Sequence, residues 1–433
     1  MRSNDWEEVR LRYVVDINPS VPPEIRQSRE AEVSFLPMEA IGEDGSFDAT
    51  KTRRVEDVLT GYSFFENGDI AYAKVTPCFE NGKAAVLGGL IGGVGFGTTE
   101  VTVVRARDAV DTKFLFYVLV EDRFKQLGKA EMTGAGGLKR VPESFTRNFK
   151  VRLPLLDEQR AIASYLDHET AEIDDFIADQ EELIALLNER RAATITRAVT
   201  KGLDRTVQMK SSGVEWLGEV PEGWSIASLR HLLASKLKYG ANEAAEFDDP
   251  DWVRYLRITD FGYNGKLKDE TFKSLPPEVA ADYMVKPNDI LLARSGATVG
   301  KAFIVPEDSP PSCFAGYLIR VECDSKLLLP RFAYRFFQST PFLDWKNASQ
   351  TVATIQNIGA DKYATLPMPV PPVDEQEEIV DYLDFETAEI DAAIADAEEA
   401  IELSKERRAA LISAAVTGKI DVRNRITAEL GAA

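Results

Sequence analysis

The residues of this chain that are best equipped for chemistry are small groups of Arg, Lys and hydroxyl side chains beside turn glycines. Lys74, Thr76 and Lys83 form one such group, and Arg294, Ser295, Thr298 and Lys301 form another about 220 residues later. Cations and hydroxyls presented on turns suit contacts to phosphate oxygens and base edges. Arg257, at the end of a β-rich run, adds a further candidate cation. A second kind of locus lies downstream in each half: Thr133-Gly134-Ala135-Gly136-Gly137-Leu138-Lys139-Arg140, and Thr351-Val352-Ala353-Thr354-Ile355-Gln356-Asn357. Lys139 and Arg140 carry the donors that match the two major-groove acceptors of guanine. Gln356 and Asn357 carry the donor and acceptor that match adenine.

Other chemistries have little to work with. The chain has two histidines, His168 and His231, and three cysteines, Cys78, Cys313 and Cys323, without C-x-x-C spacing. A His-based triad, a zinc site and a disulfide framework are therefore not expected, and the cysteines read as reduced packing residues. Gly92-Gly93-Val94-Gly95-Phe96-Gly97 leads into the strand-like Glu100 to Val104 rather than into a helix, so it is expected to be a loop and not a phosphate cradle. No G-x-x-x-x-G-K-S/T, no H-E-x-x-H and no Asn-Pro-Pro-aromatic tetrapeptide for gripping a flipped base occurs. One enzymatic alternative is a carboxylate site around Asp69, Glu80 and Lys83, or Asp289 and Lys301, but the second half lacks an acid at the matching distance before its lysine. A purely structural adaptor is another alternative, and it leaves the two large divergent segments without a task. The expectation is a chain that recognises and does not catalyse, holding no metal or cofactor of its own.

A net charge of −20 over 433 residues looks wrong for a partner of nucleic acid. The excess is localised, however: segment 153–204 has 5 basic and 12 acidic side chains, and segment 370–433 has 6 and 16. The remaining two large segments are near neutral and rich enough in Lys and Arg to build local basic faces. The longest apolar stretch, Ala84 to Phe96, is short and broken by glycines, and Met1 to Glu8 has no apolar signal core. Neither a membrane span nor export is expected, which makes the cytoplasm the expected compartment.

These acidic segments are copies of each other. Residues 153–204 align without a gap on 370–421 at an offset of 217, and about 30 of the 52 pairs are identical. Fainter matches extend outward: Trp6 with Trp224, Phe35-Leu36 with Tyr255-Leu256, and Gly68-Asp69-Ile70 with Asn288-Asp289-Ile290. The expected organisation is a first domain at 1–152, a helical segment at 153–204, a second domain at 205–369, a second helical segment at 370–421 and a tail at 422–433. The domains alternate short β-rich runs with turns and each carries an aromatic helix, Phe114 to Phe124 and Phe332 to Phe337, so their class is α+β.

Within each helical segment, Pro154 and Pro371 precede Asp157-Glu158-Gln159 and Asp374-Glu375-Gln376, which place negative charge at a helix start. The pattern suggests a short helix to Leu166 and Leu383, then a longer one from Thr170 and Thr387 to Val199 and Val416. Ile173, Ile177, Ile184 and Leu187 recur at helical spacing, as do Ile390, Ile394 and Ile401. A stripe on a helix of ~30 residues, extending ~45 Å, is longer than a small domain covers. The two helices are therefore expected to pack on each other, antiparallel.

The repeated D-E-Q-x-x-I-x-x-Y-L-D-x-E-T-A-E-I-D and E-R-R-A-A-x-I-x-x-A-V-T, the order domain, helix, domain, helix, and the segment Ser212 to Trp224 make this sequence resemble the specificity subunits of type I restriction-modification systems. The resemblance implies two target recognition domains, each reading one half of a split site in double-stranded DNA, separated by an antiparallel coiled coil. It also implies partners that do the chemistry: two methyltransferase subunits using S-adenosylmethionine, and ATP- and Mg-dependent translocase-nuclease subunits. A helix pair of ~45 Å would set the half-site centres at most roughly 13 base pairs apart.

Overall fold

The structure is a computed structural model and describes residues 6–135, 137–262, 265–349 and 357–422. Gln356 and the preceding residues of its locus from Thr351, together with Gly136, lie outside the described residues. The chain divides into two compact units, residues 1–181 with 398–433, and residues 182–397. Each unit holds one α+β domain, the adjoining half of its own long helix, and half of the long helix from the other repeat.

In the first unit, a four-stranded antiparallel sheet has the order Val15–Ile17, Val101–Ala106, Ile70–Ala73, Ala84–Val86. A second sheet has the order Thr52–Arg54, Glu32–Leu36, Val94–Thr98, Tyr62–Glu66, with its central pair parallel. The glycine run expected to be a loop thus supplies a central strand. A Cβ on Gly95 would stand 2.3 Å from the Phe65 ring, and one on Gly97 would stand 2.9 Å from the Leu36 carbonyl oxygen. These glycines let the strand lie close under its neighbours, a packing demand that turn statistics do not register.

The second unit repeats the plan. Lys238–Tyr239, Leu318–Val321, Ile290–Ala293 and Ala302–Ile304 form the antiparallel sheet, and Ser274–Leu275, Val253–Leu256 and Ser312–Phe314 form the one with a parallel pair. In both units a short strand pair closes the domain beside the long helix: Glu7–Arg10 with Lys150–Leu153, and Ser225–Ser228 with Pro367–Val370.

Each long helix is continuous, Leu156–Lys201 with 46 residues and Val373–Val416 with 44, where the sequence pattern had suggested a break near Thr170 and Thr387. No Gly or Pro interrupts either run. Thr170, rather than capping a new helix, donates its hydroxyl to the Leu166 carbonyl one turn back at 2.7 Å. Both helices stop at a glycine in the left-handed region, Gly202 and Gly418, each with φ of 70°.

The repeated D-E-Q motif has a structural task at its last residue. Gln159, 1% exposed, donates to the carbonyls of Ala109 (3.2 Å) and Pro154 (2.9 Å) and accepts from the Asp111 amide (2.8 Å). Gln376 does the same with Leu327, Pro371 and Leu329 at 2.9, 2.9 and 2.8 Å. The glutamine ties the helix start to the loop that launches the aromatic helix, Thr112–Val120 or Pro330–Phe336. A leucine at 159 would leave three buried backbone groups unpaired, so Gln159→Leu should lower stability by about 2 kcal/mol in urea denaturation. A loss under about 0.5 kcal/mol would mean that water takes the glutamine's place.

Candidate nucleic-acid interface

In the first unit the two loci that the sequence separates are one place, and in the second Asn357, the described residue of the later locus, lies at the earlier one. In the first, the strand Ile70–Ala73 delivers Lys74, whose amide donates to the Glu100 carbonyl (2.9 Å) and whose carbonyl accepts from Val141 (2.8 Å). The Thr76 amide donates to the Lys139 carbonyl (3.0 Å). Its hydroxyl donates to the Gly137 carbonyl (3.1 Å) and accepts from the Lys139 amide (3.0 Å). The hairpin Thr133–Ala135 with Leu138–Arg140 is thereby pinned onto the loop after Lys74. Lys83 closes the same loop, its carbonyl accepting from Ala73 at 2.9 Å. Lys74, Thr76 and Lys83 are half-buried and Lys139 is exposed, so all four stand at one polar, cationic edge.

The second unit repeats the backbone bonds around Lys74 and Lys83. The Ala293 amide donates to the Lys301 carbonyl (2.8 Å), Arg294 donates to the Tyr317 carbonyl (3.0 Å), and the Arg294 carbonyl accepts from Ile358 (2.9 Å). Ser295 bridges to Asn357 as Val75 does to Arg140. Thr298 accepts from the Lys301 amide at 3.0 Å, and Lys301 and Asn357 are exposed. Lys74 therefore corresponds to Arg294, Arg140 to Asn357 and Glu100 to Tyr317.

Two of the expected readers are otherwise engaged. Arg140 is held in a two-toothed pair by Glu100, Nε to Oε2 at 2.8 Å and Nη2 to Oε1 at 2.6 Å, and this guanidinium holds the Glu100 carboxyl below its ordinary range. Its fork fixes the hairpin instead of standing free for guanine. Arg257 is likewise spent, on the buried Asp260 at 2.9 and 3.0 Å and on the Thr271 carbonyl at 2.5 Å. It holds a loop together, which its place at the end of a strand-like run did not reveal. The carboxylates of the enzymatic alternative are also committed elsewhere. Asp69, 1% exposed, is bound by Arg105 at 2.7 Å through both oxygens, and Glu80 is paired with Lys129. Burial pushes the Asp289 carboxyl up, against the pull of Arg320 at 3.7 Å.

Sequence reasoning missed Glu100, Tyr317 and Tyr239. The first two stand at the repeat offset of 217 and could have been found by it. Tyr239 could not, since its place depends on strand pairing with Ile319.

The helices carry the other half of the design. Ile173, Ile390, Ile394 and Ile401 are buried, and Ile177, Ile184 and Leu187 are half-buried. In the first unit Asp174 pairs with Arg408 (3.1 Å) and Glu169 with Arg407 (3.7 Å). In the second, Asp391 pairs with Arg191 (3.4 Å) and Glu386 with Arg190 (3.4 Å). The E-T-A-E-I-D motif of each copy thus meets the E-R-R motif of the other. In the first unit Ile162 and Leu166 share a core with Ile412 and Val416 while Asp174 meets Arg408, and in the second Ile379 and Leu383 share one with Ile195 and Val199 while Asp391 meets Arg191, so the packing is antiparallel. Burial pushes the Asp174 carboxyl up more than Arg408 draws it down, as expected for a pair whose value lies in register rather than net stability. The helix ends enter the domain cores: Ile412, Ala415 and Val416 join Phe114, Phe124 and Phe149, while Ile195, Ala198 and Val199 join Trp224, Phe332 and Phe336. Burial pushes the thiols of Cys313 and Cys323, both core residues, up to about 12.

Among the described residues no group of His, Cys, Asp and Glu could hold a metal ion, and no helix is long and apolar enough to cross a membrane. Fold and site define a duplicated α+β scaffold that presents two related but non-identical polar surfaces. The chain belongs to the family described as type I restriction modification DNA specificity domain, whose model matches residues 3–184 and again 221–401. It is similar to the specificity subunit of type I restriction enzyme EcoAI from Escherichia coli, 42% identical over 160 residues, 36% of this chain and 26% of that protein. The match thus spans about a quarter of that relative's length. The MjaVIII specificity subunit of Methanocaldococcus jannaschii is 26% identical over 447 aligned residues, covering 97% of this chain and 94% of the other. Among solved structures, a chain from work on complex assembly and conformational transition of the type I R-M system matches with a TM-score of 0.75 at 18% identity, over 96% of this chain and 98% of that one. The HsdS subunit from Thermoanaerobacter tengcongensis matches with a TM-score of 0.53 at 17% identity, over 96% and 97%. These likenesses show a shared fold.

Proposed function

We propose that this chain is the non-catalytic specificity subunit of a type I restriction-modification complex, and that its two domains, 1–152 and 205–369, each read one half of a bipartite site in double-stranded DNA. Lys74, Thr76, Lys83 and Lys139 would serve the first half-site, and Arg294, Ser295, Thr298, Lys301 and Asn357 the second. The helical segments, 153–204 and 370–421, set the gap and dock two methyltransferase subunits, which bring S-adenosylmethionine. Translocase-nuclease subunits with ATP and Mg would join for cleavage. Such a role belongs to the compartment that holds the DNA.

The observation that carries this reading is the matched pair of loci: identical backbone bonding around Lys74 and Arg294, with different side chains mounted on it. A duplicated frame with divergent tips is what a reader of two different half-sites requires. The interlocking E-T-A-E-I-D and E-R-R motifs support the spacer role. The ceiling of roughly 13 base pairs rested on a 30-residue helix; at 46 residues, ~69 Å, it rises to roughly 20.

The test is co-expression with a methyltransferase subunit of the same system, followed by methylation-sensitive sequencing of the host DNA. A split motif with a fixed gap, methylated on opposite strands in its halves, is the expected result. A short continuous motif, or none with an active partner present, would overturn the reading.

A further inference from the structure

Among the described residues the Arg294 side chain is the one matched position where a cation stands on an aromatic platform. Its guanidinium lies over the Tyr239 ring, 4.7 Å from the centroid. Tyr239 is itself fixed at both ends: its backbone pairs with Ile319, and its hydroxyl accepts from the Ala360 amide at 2.8 Å. That amide follows Asn357 and Ile358, the segment bonded to Arg294 and Ser295. Tyr239 therefore joins both recognition loops of the second unit and holds the arginine's plane between them.

Among the described residues Arg294 has no carboxylate partner, in contrast to Arg140 with Glu100, and Tyr317 stands 64% exposed where the first unit has that glutamate. The Arg294 Nε is buried without an acceptor, so its two terminal nitrogens are the pair left to bond outward. In the first unit Lys74 has no such platform: the strand Val15–Ile17 ends before the position matching Tyr239, which is followed in register to Pro19.

We infer that Arg294, held flat by Tyr239, reads a guanine in the half-site of the second domain, its two terminal nitrogens donating to the O6 and N7 acceptors. A planar fork stacked on a ring loses little rotamer freedom on binding, and guanine is the base that presents two major-groove acceptors side by side. Tyr239 is a positioning residue. The inference rests on the proposed DNA-reading role.

The test uses the complete chain with its methyltransferase partners and DNA carrying its methylation motif, with 7-deazaguanine replacing one guanine at a time. For the unaltered protein one guanine, in one half of the motif, should be sensitive, its replacement weakening binding about tenfold. Arg294→Met keeps the apolar stem over the ring and removes every donor, and should be insensitive at that guanine while reading the other half unchanged. Tyr239→Phe keeps the ring and should retain the sensitivity, whereas Tyr239→Leu should blunt it. If no guanine in either half is sensitive with the unaltered protein, a result that needs no variant to fold, the inference is overturned. It is equally overturned if Arg294→Met keeps full sensitivity at every guanine. Absence of any split motif would instead sink the DNA-reading role itself, a distinguishable failure.

Discussion

Inserting seven residues into both long helices, between Glu181 and Glu182 and between Ala397 and Glu398, is expected to widen the gap of the methylated motif by about three base pairs and leave both half-sites unaltered. Seven residues are close to two full turns, so the buried stripe through Ile173, Ile390, Ile394 and Ile401 keeps its face, and the helices lengthen by ~10.5 Å, about three base steps. The insertions must match because the ion pairs fix register twice. Asp174 with Arg408 holds the first unit, and Asp391 with Arg191 holds the second. Lengthening one helix alone sets these two registers against each other, and methylation should fall at least tenfold. The check is the methylated motif of each variant. A matched insertion that changes a half-site, or leaves the gap as it was, would end the spacer reading.

Phe124→Ala is expected to lower the stability of the first unit by about 4 kcal/mol, the largest effect of a single substitution proposed for this chain. Phe124 is fully buried at the centre of an aromatic cluster, 5.8 Å from the Tyr72 and Phe79 rings, 5.2 Å from Phe145 and 4.9 Å from Phe149. The cluster has no slack. A Cβ on Gly128, one turn further along the helix Asp122–Ala130, would stand 2.4 Å from Phe79. That helix leads into the hairpin at Thr133–Arg140, so the cavity would loosen the recognition edge as well as the core. Hydrogen exchange should rise across residues 62–153 and stay near its original level in the sheet of residues 290–321. A loss under about 1.5 kcal/mol would show that the four neighbouring rings close the cavity.

Much of this was legible in the residues. The repeat at offset 217, the α+β class, the strands at Ile70–Ala73 and Ile290–Ala293 and the charge asymmetry all follow from order and type, because periodicity and self-similarity are local properties of a chain. The positions of Lys74, Arg294, Lys139 and Asn357 were legible for the same reason. Their convergence was not. It is made by hydrogen bonds such as Thr76 to Lys139, between residues 63 positions apart, which no local pattern encodes.

The errors share one cause. Gly95 and Gly97 read as a loop since turn preference favours glycine, and only the nearness of Phe65 and Leu36 turns them into a strand. Arg140 and Arg257 read as free cations, and only the fold brings Glu100 and Asp260 to them. Sequence by itself determined what is repeated and which side chains are carried at each matched place. Tertiary structure alone decided which charges remain free and how the E-T-A-E-I-D and E-R-R motifs meet, because electrostatic pairing depends on distances of a few ångströms that chain order does not contain.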